Sequence, residues 1–278
     1  MTNFTNKNSK SVGEAAATGE LALLLPSKKR APTAARRNGV KQARPAESRN
    51  HLLALLPRED RLRLIALCET VELTLGEVLA EPGATTSFVY FPIDSFISLI
   101  AQTDEKLGLE VGMVGRESML GAQLTVGVTI SPLHALVQGE GSALRIRAAA
   151  YKREIEDSPA VRRIMGRHFY VQDAQLAASA ACVRFHLVGP RLARWLLMSH
   201  DRARADTFHV THEFLAYMLG VRRVSITTAA VAMQRGGLVS YHRGELTVND
   251  RSGLEQAACS CYLANRQLYD QLLPGIRF

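Results

Sequence analysis

The chain has 278 residues, 47% hydrophobic and 22% charged, which suits one or two globular domains and excludes a wholly disordered chain. Its apolar runs, such as residues 21–26, are far shorter than the ~18 residues of a membrane span. No secretory signal is expected, and four cysteines are too few for a disulfide scaffold, so a reducing cytoplasm is the expected setting. The net charge of +8 is uneven: residues 1–50 carry +7, residues 51–185 carry −3, and residues 186–278 carry +4. Basic ends around an acidic middle suit a polyanion-binding protein, because clustered cations release counterions from phosphate backbones.

Residues 1–49 read as a basic, disordered tail: polar residues dominate, Pro26, Pro32 and Pro45 interrupt them, and no hydrophobic period persists. From His51 onward, short helical turns around Pro57 give way to alternating segments. Strands are expected at 71–75, 78–80, 88–91, 96–100, 107–114, 133–138 and 143–147, each stopped by Gly, Pro or polar residues. Many short strands without intervening helices predict an antiparallel β-roll of the jelly-roll kind over 50–157. Residues 158–186 predict one long helix opened by Pro159. Val161, Ile164, His168, Val171, Gln175, Ala178 and Cys182 recur on it at 3-4 spacing, the pattern of a dimer seam. Met165, Phe169, Leu176 and Val183 form a second stripe, so one face is expected on the β-roll and the other, the seam, on a second copy.

Residues 187–273 predict an amphipathic helix at 191–199 and then a two-helix motif. Thr211 suits an N-cap with Glu213 in the first turn, and Gly220 suits a tight turn after Leu219. The second helix turns Ile226, Ala230 and Met233 inward, so that Arg222, Arg223, Val224, Ser225, Thr227 and Thr228 would face outward or flank that face. Helix, glycine turn and helix is the helix-turn-helix pattern. Arginine can pair bidentately with guanine, and threonine can touch phosphate or a thymine methyl. A hairpin follows, Leu238–Tyr241 and Glu245–Val248 around a basic tip with Arg243, placed as a wing beside the reading helix. No catalytic constellation is found: residues 70–147 hold only His134 where a metal-dependent β-roll enzyme needs several histidines, and there is no nucleophile elbow or phosphate loop. Cys259-Ser260-Cys261 lacks a second pair, so no metal ligand is assigned.

A β-roll, a long helix and then Thr211–Val248, with its Gly220 turn and the Gly237-Leu238-Val239 start of the wing, resembles the Crp/Fnr family of bacterial transcription regulators over about residues 50–262. The resemblance implies an α+β fold with a cyclic-nucleotide-binding-like β-roll, a dimerisation helix and a winged helix-turn-helix. It also implies binding to double-stranded promoter DNA as a homodimer, RNA polymerase as a further partner, and no membrane or enzymatic role. In that family the reading helix usually offers Arg-Glu and a further Arg; here Arg223 is kept, while Val224 and Thr228 replace the other two, so the target sequence should differ. Gly121-Ala122 stands where cyclic-nucleotide binders carry Gly-Glu, and Pro132-Leu133-His134-Ala135 lacks their arginine, so cAMP is not expected to be the effector and no cofactor is assigned. Gly115, Arg116, Glu117, Gly121, Ala122 and His134 mark the region where an effector pocket would lie. Residues 1–67 contain no cysteine for an N-terminal iron–sulfur cluster. A rival reading is a ligand-binding or protein-interaction module whose winged helix contacts protein.

Overall fold

A computed structural model describes residues 50–103, 108–203 and 205–276, so the basic tail and its Lys28-Lys29-Arg30 run lie outside the described residues. Two short helices open the fold, α1 (His51–Ala54) and α2 (Arg58–Ala66). Asn50 caps α1 by accepting from Leu53 N–H, and its amide donates to the carbonyls of Pro92 and Ser118 at 2.9 and 3.1 Å. One polar side chain thus ties the start of the fold to two later loops.

Seven strands follow: β1 (Glu69–Leu73), β2 (Val78–Ala80), β3 (Phe88–Pro92), β4 (Phe96–Gln102), β5 (Gly108–Val114), β6 (His134–Gly139) and β7 (Gly141–Arg147). They pair antiparallel in two sheets, β1-β7-β3 and β2-β6-β4-β5, as the alternating segments predict. Strand β4 departs from alternation because both of its faces are covered. Ile97 faces the interior with Val114, Ala135 and Val137. Ile100, with Met113 and Leu136, joins the core of the C-terminal region instead. The buried Ser98 hydroxyl donates to Glu110 at 2.6 Å, and burial pushes the Glu110 carboxyl up to about 7.

After α3 (Ala148–Asp157), helix α4 (Pro159–Phe185) runs for 27 residues, or about 40 Å at the standard rise. Ser158 caps it, accepting from Val161 N–H, and Pro159 occupies its first turn. The placement of its two stripes corrects the sequence reading. Val161, His168, Val171 and Cys182 are fully buried within the protomer. Val161 and Val171 pack with Leu124, Met119 and Tyr151, and His168 Nε2 lies 2.7 Å from Ser118 Oγ. Ile164, Gln175 and Ala178 are half-buried beside them. The four fully buried residues have no surface left to offer a second copy. A 3-4 spacing reports that a stripe is covered, not which body covers it. The stripe left open holds Leu176 and Val183; Tyr170 is exposed on a neighbouring face, and the nearby Phe185 and Leu187 are 75% and 79% exposed.

The C-terminal region comprises α5 (Val188–Ala203), β8 (Thr207–His209), α6 (His212–Leu219), α7 (Arg223–Arg235), β9 (Val239–His242), β10 (Glu245–Val248), α8 (Arg251–Ala257) and α9 (Cys261–Leu272). Its core gathers Leu192, Trp195, Phe214, Leu215, Ile226, Met233 and Leu254, with the Trp195 and Phe214 rings edge-on at 6.5 Å. Helix α9 leaves that core and returns to the first. Tyr269, Leu273 and Ile276 pack with Leu52, Leu53 and Leu64, so the packing does not divide at residue 187. No single described helix is long and apolar enough to cross a membrane.

A buried ion pair joins the two halves. The Arg202 guanidinium on α5 donates through Nε and Nη2 to Glu117 Oε1, at 3.1 and 2.7 Å, with both side chains under 5% exposed. Gly115 N–H donates to the same oxygen at 3.2 Å. Removing one partner strands a buried charge. We expect Glu117→Ala to cost about 3–5 kcal/mol in urea unfolding, and Glu117→Leu combined with Arg202→Met to cost clearly less than either single change.

Candidate nucleic-acid interface

Helix α6 begins at Thr211, whose hydroxyl oxygen accepts from Phe214 N–H at 3.1 Å, and it ends at Gly220 with φ +62°. That left-handed conformation lets the chain reverse into α7, which is bent 112° from α6, within the range of helix-turn-helix pairs. Ile226, Ala230 and Met233 of α7 are buried against α5 and α6. The other side is open: Arg222, Arg223, Val224, Thr227 and Thr228 are exposed, and Ser225 is half-exposed. Arg222 caps α7, so the start of the helix offers unsatisfied N–H groups beside two guanidinium groups. Among the described residues neither Arg222 nor Arg223 has a carboxylate within ion-pair distance.

The wing is a three-stranded antiparallel sheet, β8-β10-β9. Strand β8 escaped the sequence reading, because three residues are too few to show alternation. The turn between β9 and β10 holds Arg243 at φ +50°, the one non-glycine residue in the left-handed region among the described residues, followed by Gly244 at +88°. Two positive φ values are what a two-residue hairpin needs to match strand twist, and they place the exposed Arg243 at the tip.

His212 was missed as an organising residue. Its ring stacks on Tyr241 of the wing at 4.6 Å, and its Nδ1 lies 3.1 Å from Thr227 Oγ1 on α7. Burial, with the Arg223 charge a smaller cause, lowers its pKa and favours the neutral ring. His212 therefore joins both helices and the wing. Its neighbour His209 pairs with Glu245 at 2.6 Å, so the two histidines serve different contacts. The Thr227 and Thr228 hydroxyls donate back to the carbonyls of Arg223 and Val224, which fixes both side chains on the exposed face.

The six residues expected near an effector pocket do not converge. Glu117 is committed to Arg202, with Gly115 N–H bonded to it. The backbone carbonyl of Arg116 accepts from His51 N–H. Buried His134 faces Glu81 at 2.7 Å. Gly121 and Ala122 start a 3₁₀ helix (Ala122–Val126) and line a cavity of about 270 Å³ between the β-roll and α4. Leu99, Met113, Leu133, Phe169 and Leu176 give that cavity an apolar wall, and among the described residues no Lys or Arg lines it.

Residues 190–257 match the Crp-like helix-turn-helix domain family. No curated protein matches this chain by sequence. Among solved structures, one from Eubacterium rectale, described as a Crp/Fnr-family regulator, has 18% identity and a TM-score of 0.60, covering 75% of this chain and 98% of the other. FixK2 from Bradyrhizobium japonicum has 10% identity and a TM-score of 0.58, covering 69% and 98%. The c-di-GMP-responsive regulator CLP from Xanthomonas campestris has 16% identity and a TM-score of 0.57, covering 70% and 100%.

A β-carbon at position 220 would sit in a disfavoured backbone region and 3.2 Å from Leu109 Cδ1. Gly220→Ala should therefore lower thermal stability by about 1–2 kcal/mol, read by calorimetry on the folded protein.

Proposed function

We propose that this chain, a transcription regulator of the Crp/Fnr type by its fold and its helix-turn-helix domain, binds duplex DNA as a two-fold dimer with α7 in the major groove of each half-site. The exposed, ion-pair-free row at the start of α7 supports this reading most directly. Arg222 and the wing residue Arg243 would hold phosphate, while Arg223, Val224 and Thr228 would meet base edges. Thr211 and Ser225 flank the groove as hydroxyl contacts, and Thr227 combines that role with its contact to His212. Valine cannot accept from a cytosine amino group, which favours a target with a thymine methyl at that position.

The second copy would pack on the open stripe of α4. Phe169, Asp173, Leu176, Ala180 and Val183 follow one another at 4-3-4-3 spacing, Leu176, Ala180 and Val183 are exposed, and Leu187 is exposed just past the end of the helix. The effector is not cAMP in this reading. A cyclic phosphate needs a cation or a cluster of donors, and among the described residues the cavity beneath α4 has an apolar wall with no Lys or Arg.

Duplex affinity should fall steeply with salt, as a power law in the number of phosphates contacted, when measured by fluorescence anisotropy. Arg223→Ala should weaken the preferred site by about 1–3 kcal/mol and relax base preference at one position per half-site. Affinity that stays flat with salt would overturn the DNA reading. In sedimentation, Leu176→Glu with Val183→Glu should give folded monomers; a persistent dimer would place the contact elsewhere.

A further inference from the structure

Four metal-ligating side chains meet where the long helix ends. Cys182 lies in the last turn of α4, and His186 caps that helix one turn later on the same face. Cys259 and Cys261 flank Ser260 in the bend between α8 and α9. Their ligating atoms all lie within 4.8 Å of one another. Cys182 Sγ is 3.6 Å from Cys259 Sγ, and Cys261 Sγ is 3.6 Å from His186 Nδ1. A tetrahedral zinc ion with Zn–S near 2.3 Å and Zn–N near 2.05 Å has S···S edges of about 3.8 Å and S···N edges of about 3.5 Å. Both observed separations fall close to those edges. All four cysteines are free thiols, and 3.6 Å is far outside the ~2.05 Å of a disulfide bond. A polynuclear iron–sulfur cluster would hold its ligands further apart than this.

The surroundings carry an independent sign of missing negative charge. Arg191 and Arg194 on α5 are 5% and 8% exposed, and among the described residues neither has a carboxylate within ion-pair distance, although the buried Glu110 carboxyl acts on Arg194 from further away. Arg191 donates to the Leu219 carbonyl and Arg194 to Met198 Sδ, and the Nε of each finds no acceptor. Burial lowers the Arg191 pKa, as expected for an uncompensated cation. A zinc ion with three thiolates and one neutral imidazole carries a net charge of −1, the sign these guanidinium groups lack.

We propose that Cys182, His186, Cys259 and Cys261 form a tetrahedral Cys₃His site for a single zinc ion, which staples the end of α4 to the α8–α9 bend. Cys182 and Cys259 are buried, while His186 and Cys261 are half-exposed and open a path for the ion from solvent. The site spans the joint between α4 and α5, so it fixes how the long helix meets the helix-turn-helix domain. With all four ligands in place the site is closed to a further ligand, which makes its role structural.

The test uses the full chain, purified with reductant and without chelator. Plasma mass spectrometry should find about one zinc per chain. Cobalt(II) added to zinc-depleted protein should give the intense visible bands of tetrahedral thiolate coordination. Cys261→Ser and His186→Ala should each weaken or abolish those bands, with folding checked by circular dichroism. If Cys261→Ser fails to fold, His186→Gln carries the test. Chelator should lower the unfolding midpoint of the wild type and leave that of the variants unmoved. A folded wild type that takes up neither metal, a weak octahedral cobalt spectrum, undiminished bands in both folded variants, or a Cys182–Cys259 disulfide under reductant would each overturn the proposal. The cobalt spectrum is recorded without DNA, so its outcome is separate from that of the DNA reading.

Discussion

The contact between the inward stripe of α4 and the β-roll sets the geometry of everything around it. Val161, Met165, His168 and Val171 lie fully buried along that line, and polar side chains on the same face bond back to the β-roll. His168 meets Ser118, Gln172 donates to the Met119 carbonyl at 3.2 Å, and Ser179 donates to the Val111 carbonyl at 3.0 Å. Burial holds His168 down at about 3, so this line carries no charge that would have to be desolvated again on any rearrangement. Once this face is used, the rotation of α4 about its axis is settled. The apolar row at Leu176 and Val183 then points away from the fold, and Cys182 points toward the α8–α9 bend.

The same helix borders both the β-roll cavity and the C-terminal region. On one side lies the apolar cavity, with Gln172 and Gln175 of α4 in its wall. On the other lies the helix-turn-helix domain, held to the β-roll by Glu117–Arg202 and by Tyr217, whose ring occupies the space where a side chain at Gly108 would stand. The proposed zinc staple adds a third connection, at the C-terminal end of α4. Its ligands are drawn from the last turn of α4 and from a bend 77 residues later.

The amphipathic pattern of α7 and the glycine turn before it were legible because both are local. An apolar residue every three or four positions and a glycine where the chain must reverse leave their mark within a dozen residues. The strands of the β-roll were legible for the same reason, down to their order and most of their limits. The stripe on α4 was read as a pattern but assigned to the wrong body, since two apolar faces on one helix are equivalent until a neighbour is placed. His212 was invisible as an organiser: its partners, Tyr241 and Thr227, come from two other elements.

By itself, the linear order of residues determined the class of the fold, the sequence of its parts and the helix that faces outward with arginines at its start. These are properties of short-range periodicity, capping and turn chemistry. Tertiary structure alone decided that Glu117 serves Arg202 and not a ligand, that α9 returns to the N-terminal core, and that a lone Cys-x-Cys meets a cysteine and a histidine from the end of α4. Each of these joins residues more than 70 positions apart. Such pairings follow from how whole surfaces pack, and no spacing along the chain encodes them.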